Sequence, residues 1–238
     1  MQSLNQLIES YAAGQRDFAH SQLIEAEIVK ADLSGIDLSR ADLRQARLGR
    51  TNFSHGTFRE ADLSEALLWG ADLSGADLSS AILREADLSG AKLVQVNLAK
   101  ANLYKASLCG TNLRQANLTE AILYEVDLRP SLDQGTDLGE ADLTNAALNY
   151  AHLSGATLAH AILVGARLCR ANLSQQGWGG QVPTDLRGAD LQQADLSYAD
   201  LRGAWLQEAN LRQADLTGTD LGGAQLTGAI MPDGRTYT

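Results

Sequence analysis

Large apolar residues return every five positions along most of this chain. The series runs Phe18, Leu23, Ile28, Leu33, Leu38, Leu43, Leu48, Phe53, Phe58 and Leu63, and continues to Leu128. Two positions before each stands a small residue, usually alanine: Ala31, Ala41, Ala46, Ala61, Ala66, Ala71 and Ala76. The position between them is usually Asp or Asn, and the two that follow are polar or small. Ala71-Asp72-Leu73-Ser74-Gly75-Ala76-Asp77-Leu78-Ser79-Ser80 states this unit twice. With the large residue as position i, the unit runs from i−2 to i+2.

A period of five fits neither the roughly 3.6-residue turn of a helix nor the alternation of a long strand. It predicts a chain that turns a corner every five residues. Residues i−2 and i lie two apart, so on a short extended segment both point inward. Alanine at i−2 implies a narrow interior, which the residue at i fills. Positions i−1, i+1 and i+2 then face solvent or form the corner. Were four such sides to close a square coil, which is what the resemblance given below implies, it would take about 20 residues, and successive coils would stack about 4.8 Å apart. About forty units make about ten coils and a rod about 50 Å long.

Two segments interrupt the pattern. Within 130–136, Pro130-Ser131-Leu132-Asp133-Gln134-Gly135 keeps the count but puts Asp133 at a core position, so that side is either distorted or bulges outward. Units resume from Leu138 to Leu173. In 174–185 the phase breaks, and the Gly and Pro density around Trp178 predicts a protruding loop. Units run again from Leu186 to Met231, where Pro232 cannot donate to a further ladder.

Residues 1–15 lie outside the repeat. Leu4, Leu7, Ile8 and Tyr11 recur at helical spacing with Gly14 as a stop, which predicts a short helix capping the open end of the stack, with docking of a partner as the alternative role. The expected organisation is a capping helix at 1–15, the repeat coil at 16–231 and a tail at 232–238.

Composition changes this picture little. The net charge of −10 argues against nonspecific binding to nucleic acid or anionic membranes and leaves a basic protein partner open. No stretch approaches the roughly 18 apolar residues of a membrane helix, and the first ten residues lack a signal-peptide pattern. A cytoplasmic protein is expected.

The sequence presents no recognisable catalytic site. All aspartates except Asp133 and Asp233 occupy position i−1, so the repeat spaces them and not a reaction. His20, His55, His152 and His160 show no ligand spacing with each other or with cysteine, and no metal is expected. Cys109 and Cys169 both fall at i+1. Stepping by whole coils puts them on one column about 14 Å apart, too far for a disulfide. Each reads as a surface thiol. Phosphate-binding, dinucleotide and serine-hydrolase motifs are absent, and no cofactor is expected.

The surface can be read by stepping one coil at a time. One side carries the i−1 column Asp42, Asp62, Ile82, Asn102 and Ile122, and the i+1 column Arg44, Ser64, Arg84, Tyr104 and Tyr124. Ile82, Tyr104, Ile122 and Tyr124 therefore cluster, with Arg84 at the edge, in the composition of an interface centre. Trp69 with Leu67 lies round the corner and extends the candidate partner site, and the Trp178 loop is a further candidate. The basic run Arg40, Arg44, Arg47 and Arg50 winds around one N-terminal coil, where it could anchor an acidic partner or serve as solvated surface.

These A(D/N)LXX units are identified as pentapeptide repeats. The resemblance implies the family's fold, an all-β right-handed quadrilateral β-helix; periodicity alone gives only the corners and the inward pairs. Segments that the bare repeat does not dictate are similar to a cyanobacterial branch of the family that controls heterocyst differentiation. They include Tyr11-Ala12-Ala13-Gly14, Asn52-Phe53-Ser54-His55, Ala106-Ser107-Leu108-Cys109-Gly110, Asp127-Leu128-Arg129-Pro130-Ser131 and Ile230-Met231-Pro232-Asp233-Gly234. That similarity implies a non-enzymatic regulator acting through protein partners of the differentiation pathway, without direct contact to nucleic acid or membrane. The alternative within the family is a DNA mimic that binds DNA gyrase. Such relatives dimerise through a C-terminal extension, for which Arg235-Thr236-Tyr237-Thr238 is too short. A monomer is expected.

Overall fold

The computed structural model describes residues 4–175 and 182–238. The chain winds in coils whose residues pair in parallel at a step of 20, as between Asp42 and Asp62 or Ile82 and Asn102. Four interleaved columns of bridges run along the rod. The first side carries Asp37 and Asp77, the second Asp42 and Ile82, the third Arg47 and Leu67, and the fourth Asn52 and Asp72. Each bridge is isolated. Among the described residues no side is long enough to form a strand, because a turn follows every pair of inward residues.

The interior is the line of i−2 and i residues. From Leu38 to Leu211, nearly all of these alanines and leucines are fully buried in one continuous core. Phe53 and Phe58 replace leucine in one region and meet edge to face, with ring centroids 5.3 Å apart. The i−2 residue between them is Gly56, where a Cβ would lie 3.2 Å from the Phe58 ring and 2.9 Å from the Phe53 carbonyl oxygen. The missing methyl makes room for the larger ring.

Every backbone N–H of a standard unit has an acceptor. In Ala76–Ser80, Ala76 N–H closes the preceding turn on Leu73 O, and Asp77 N–H donates to Gly56 O of the previous coil. Leu78 and Ser80 donate to Asn97 O and Ala99 O of the next coil. The remaining donor, Ser79 N–H, goes to Asp77 Oδ1 at 3.0 Å. The i−1 carboxylate or amide thus supplies the one acceptor that the coil cannot. This is a side-chain substitute for a backbone bond, of the kind that favours Asp and Asn in turns.

The corners have negative φ at i+1 and positive φ at i+2, the sign pattern of a type II turn. Ser80, Glu85 and Lys105 sit there with φ of 58°, 56° and 56°, a conformation that disfavours a side chain by roughly 1–2 kcal/mol. Glycine takes many corners, and at Gly75 and Gly188 space is a second reason. A Cβ would fall 2.7 Å from His55 Nδ1 at the first and 2.5 Å from His160 Nδ1 at the second.

Both interruptions fall between the third and fourth sides, and most of the loop expected at 174–185 lies outside the described residues. Asn112 pairs with Asp137 instead of residue 132, and Thr157 pairs with Asp185 instead of residue 177. Asp133 is therefore not in the core. Residues 131–135 bulge outward and are exposed, because a carboxylate has no partner in an alanine–leucine interior. A buried threonine mends each break. Thr136 Oγ1 accepts from Gly110 N and donates to Arg129 O. Thr184 Oγ1 accepts from Gly155 N and donates to Leu153 O.

The ends are closed differently. Helix α1 (Leu4–Ala12) lays the buried Leu7 against the core and ends at Gly14, φ 100°, with Gln15 N–H on Ser10 O and Gly14 N–H on Tyr11 O. This is the glycine-terminated C-cap, in which the left-handed residue lets two late N–H groups reach back to the last carbonyls. At the other end the tail folds back. Thr236 bridges Ile230 in antiparallel fashion, and Tyr237 N–H donates to Ala229 O.

Thr184→Val leaves Gly155 N–H and Leu153 O without their hydroxyl partner. It should lower stability by about 1–3 kcal/mol in chemical unfolding; an unchanged midpoint would contradict the stitching role. Acid should also weaken the rod. Asp42 and Asp200 are held below the ordinary carboxylate range by the guanidinium groups of Arg44 and Arg202. A carboxyl whose folded pKa is depressed stabilises above its unfolded value, and that contribution is lost as pH falls through the folded value. Unfolding stability should hold to about pH 5 and fall below about pH 4. The fall should be shallower in the double variant Asp42→Asn, Asp200→Asn.

Candidate functional site

Most surface chemistry on this rod is committed to holding it together. Aspartates at i−1 accept from their own i+1 N–H, as Asp62, Asp72 and Asp87 do. Where arginine follows at i+1, the carboxylate is also gripped by a fork, as in Asp42–Arg44, Asp127–Arg129, Asp185–Arg187 and Asp200–Arg202. Long corner side chains pair from coil to coil, as Arg40 with Glu60 and Gln95 with Gln115. These groups are positioned by the repeat and carry no poised acid or base. Burial, with Asp127 beside it, pushes the Cys109 thiol up to about 11, which keeps it protonated.

The insertion at 130–136 corrects the placement of the cysteines. Cys109 follows the third-side pair Ser107–Asp127, whereas Cys169 follows Arg167 on the second side. They stand on different sides and not in one column. Both are partly covered rather than fully exposed.

The second side departs from the repeat's own rule. Its i−1 column reads Asp42, Asp62, Ile82, Asn102, Ile122, Ala147, Arg167 and Asp195. From Ile82 to Arg167 no carboxylate occupies it, and the matching i+1 residues are Arg84, Tyr104, Tyr124, Asn149 and Cys169. Ile82 and Ile122 are exposed at 37% and 40%, and Tyr104 and Tyr124 are half-buried between them. The Arg84 guanidinium lies 5.3 Å from the Tyr104 ring centroid, and Lys105 Nζ approaches the same ring at 5.2 Å. Ile82, Arg84, Tyr104, Ile122 and Tyr124 are thus brought together on one side.

The other expected site residues fall differently. Trp69 and Leu67 lie on the adjacent third side, and Trp69 is folded down onto the previous coil. Arg50 stacks on its ring at 4.9 Å, and a Cβ at Gly49 would lie 2.5 Å from Trp69 Cε2. Trp178 lies outside the described residues. Arg40, Arg44, Arg47 and Arg50 are spread over successive sides of a coil. Arg40 is bound to Glu60 and Arg44 to Asp42, while Arg50 faces Trp69.

Two residues of the second-side edge were missed by stepping in whole coils. Tyr150 and Tyr198 occupy the corner after this side, 48% and 58% exposed, with Arg170 stacked on Tyr198 at 5.6 Å. The two insertions displace them from the simple column count. Adding the inserted residues to the step would have found them.

Among the described residues no three His, Cys, Asp or Glu side chains come together as a metal site, and no helix is long and apolar enough to cross a membrane. A shallow hollow of about 350 Å³ on the fourth side is lined by His160, Arg187, Gln207 and Glu208.

Among curated proteins none matches this sequence. Among solved structures, the crystal structure of HetL, a pentapeptide repeat protein involved in heterocyst differentiation regulation from the cyanobacterium Nostoc sp. strain PCC 7120, is similar along its whole length. It has 58% identity, a TM-score of 0.98 and coverage of 100% of both chains. A pentapeptide repeat protein from the Arabidopsis thaliana thylakoid lumen is 40% identical over 41% of this chain and 68% of its own, with a TM-score of 0.40. QnrB1, a plasmid-mediated fluoroquinolone resistance protein, is 20% identical over 88% of each chain with a TM-score of 0.41, too loose a superposition to bear on function. The family model described as pentapeptide repeats matches in eight copies across residues 17–54, 58–95, 97–129, 136–175, 184–212 and 194–231. With matches over nearly the whole coil, the chain belongs to the pentapeptide-repeat family.

Proposed function

We propose that this protein is a non-enzymatic, protein-binding scaffold that regulates heterocyst differentiation in the manner of HetL, and that its second side is the binding surface. The coil is taken to be a right-handed quadrilateral β-helix, the hand being that of the family. The observation that carries the reading is the run from Ile82 to Tyr124. There the repeat gives up its Asp ladder, and with it the bonds that Arg84 N–H and Tyr124 N–H would otherwise make to an i−1 side chain, in favour of exposed apolar and aromatic groups. Such groups with arginine at the edge form the centres of protein interfaces. The 58% identity over the full length of HetL supports the differentiation role.

The partner is a protein of the differentiation pathway. Binding needs neither nucleic acid nor membrane, and the net charge of −10 disfavours both. The protein acts as a monomer, a reading supported by the coverage of its ends by α1 and by the folded-back tail.

Replacing Ile122 and Tyr124 with serine should abolish capture of a differentiation regulator from source-cell lysate while leaving thermal unfolding within a few degrees of the parent. Unchanged capture by a folded Ile122→Ser, Tyr124→Ser variant would remove the site assignment. Capture of gyrase subunits in place of a regulator would overturn the function.

A further inference from the structure

The chain carries a net charge of −10, yet the middle of the second side lacks carboxylates at two of its outward positions. From Ile82 to Arg167, four coil steps or about 19 Å, neither the i−1 nor the i+1 position of that side holds a carboxylate. No other side keeps both positions free of carboxylates for so long among the described residues. Within the same stretch Lys105 pairs with Glu125 at 3.7 Å, but the arginines are not neutralised in the way of the rest of the rod. Arg44, Arg129, Arg187 and Arg202 each grip the aspartate two residues before them, but the corresponding neighbour of Arg84 is Ile82. Arg84 and Arg170 stack on tyrosines instead.

We infer that this side, extended past the strip described above to Tyr150, Arg167, Arg170 and Tyr198, binds an acidic protein segment that also carries apolar side chains. The inference rests on the reading of the second side as the binding surface. Apolar side chains of the segment lie on Ile82, Ile122 and the tyrosines, while its carboxylates meet the guanidinium groups of Arg84, Arg167 and Arg170. Arginine suits this role because its planar fork binds a carboxylate in two-point fashion while its face remains stacked on a ring. A polyanion such as DNA is disfavoured. The cations are few, and Glu85 and Glu125 stand at the same corner of this side as Tyr150, Arg170 and Tyr198, inside a Debye length of about 10 Å. Isolated carboxylates on a peptide can be placed between those glutamates; a continuous row of phosphates cannot.

The test uses the full chain with a short labelled peptide of Glu and Leu, and its counterpart with Lys for every Glu, followed by fluorescence anisotropy. The Glu peptide should bind, more weakly as salt rises, and the Lys peptide should not. The double variant Arg84→Glu, Arg167→Glu should weaken binding by about tenfold or more. Arg212→Glu, a single charge reversal on the first side, should leave it unaltered, whereas Arg84→Glu alone should already weaken binding. Equal binding of both peptides, equal loss with Arg212→Glu, preference for a DNA duplex over the Glu peptide, or self-association that disappears in the double variant would each overturn the inference. The underlying reading is tested separately. If capture of the regulator is lost with Ile122→Ser, Tyr124→Ser but kept with Arg84→Glu, Arg167→Glu, the binding surface stands and its acidic partner falls. If neither variant affects capture, both fall.

Discussion

A chain that turns every five residues must find an acceptor for each backbone N–H, and neighbouring coils can supply only part of the set. In this fold two donors per unit go to the next coil, one to the previous coil and one across the turn. The fifth, at i+1, would be left to water. The Asp or Asn at i−1 takes it, as Asp77 does from Ser79 at 3.0 Å. An unpaired N–H held against a packed surface costs free energy comparable to a lost hydrogen bond. That local constraint accounts for the acidic ladders, hence for much of the negative charge and for the pH sensitivity of the rod. The carboxylates that look like catalytic pairs in the sequence are already occupied.

The same constraint makes departures from the rule informative. Sites that break a local structural preference without an obvious packing gain are where function is expected. Shorter departures occur on other sides too: Thr57, Arg47 with Leu67, Lys92, Trp205 with Gln225 and the exposed Ile162 stand at i−1. Trp69 and Trp205 have their own structural partners, Arg50 and Arg187, stacked at 4.9 Å. Only on the second side do the departures include Ile82, Ile122, Ala147 and Arg167 within one column, with tyrosines alongside. Apolar groups are exposed there, the Asp cap is lost and the charge changes character, all over the same coils. A rigid rod is a good carrier for such a surface, because the positions are fixed by the core and need little ordering on binding.

The corners and inward pairs were legible in the sequence because a period of five fits neither a helix nor a long strand, while the four sides came from the family resemblance. Ala at i−2 and Leu at i recur together from Ala31 to Leu128, and only a chain that turns between successive pairs buries both. The strip from Ile82 to Tyr124 was legible too, since it lies before the first interruption. What the sequence hid followed from the insertions. With 130–136 counted as part of the coil, Cys109 and Cys169 shared a side, and Tyr150 and Tyr198 fell away from Tyr124. The structure reverses both, because Asp133 cannot be buried and its unit is expelled. The one visible sign was a threonine at i−2 just after each break, Thr136 and Thr184, whose hydroxyls replace the missing bonds. Trp69 was placed on the correct side, but its inward tilt depends on Gly49 one coil away, a pairing seen only once coils are stacked.

The most direct test of the second side as the binding surface is a side-chain footprint of the rod, alone and with its captured partner, by hydroxyl-radical labelling. Tyr104, Tyr124, Tyr150 and Tyr198 should be protected, coil after coil along one side, with Trp205 and Leu132 unchanged. Protection of Trp205 or Leu132 with the second-side tyrosines still reactive would contradict that assignment.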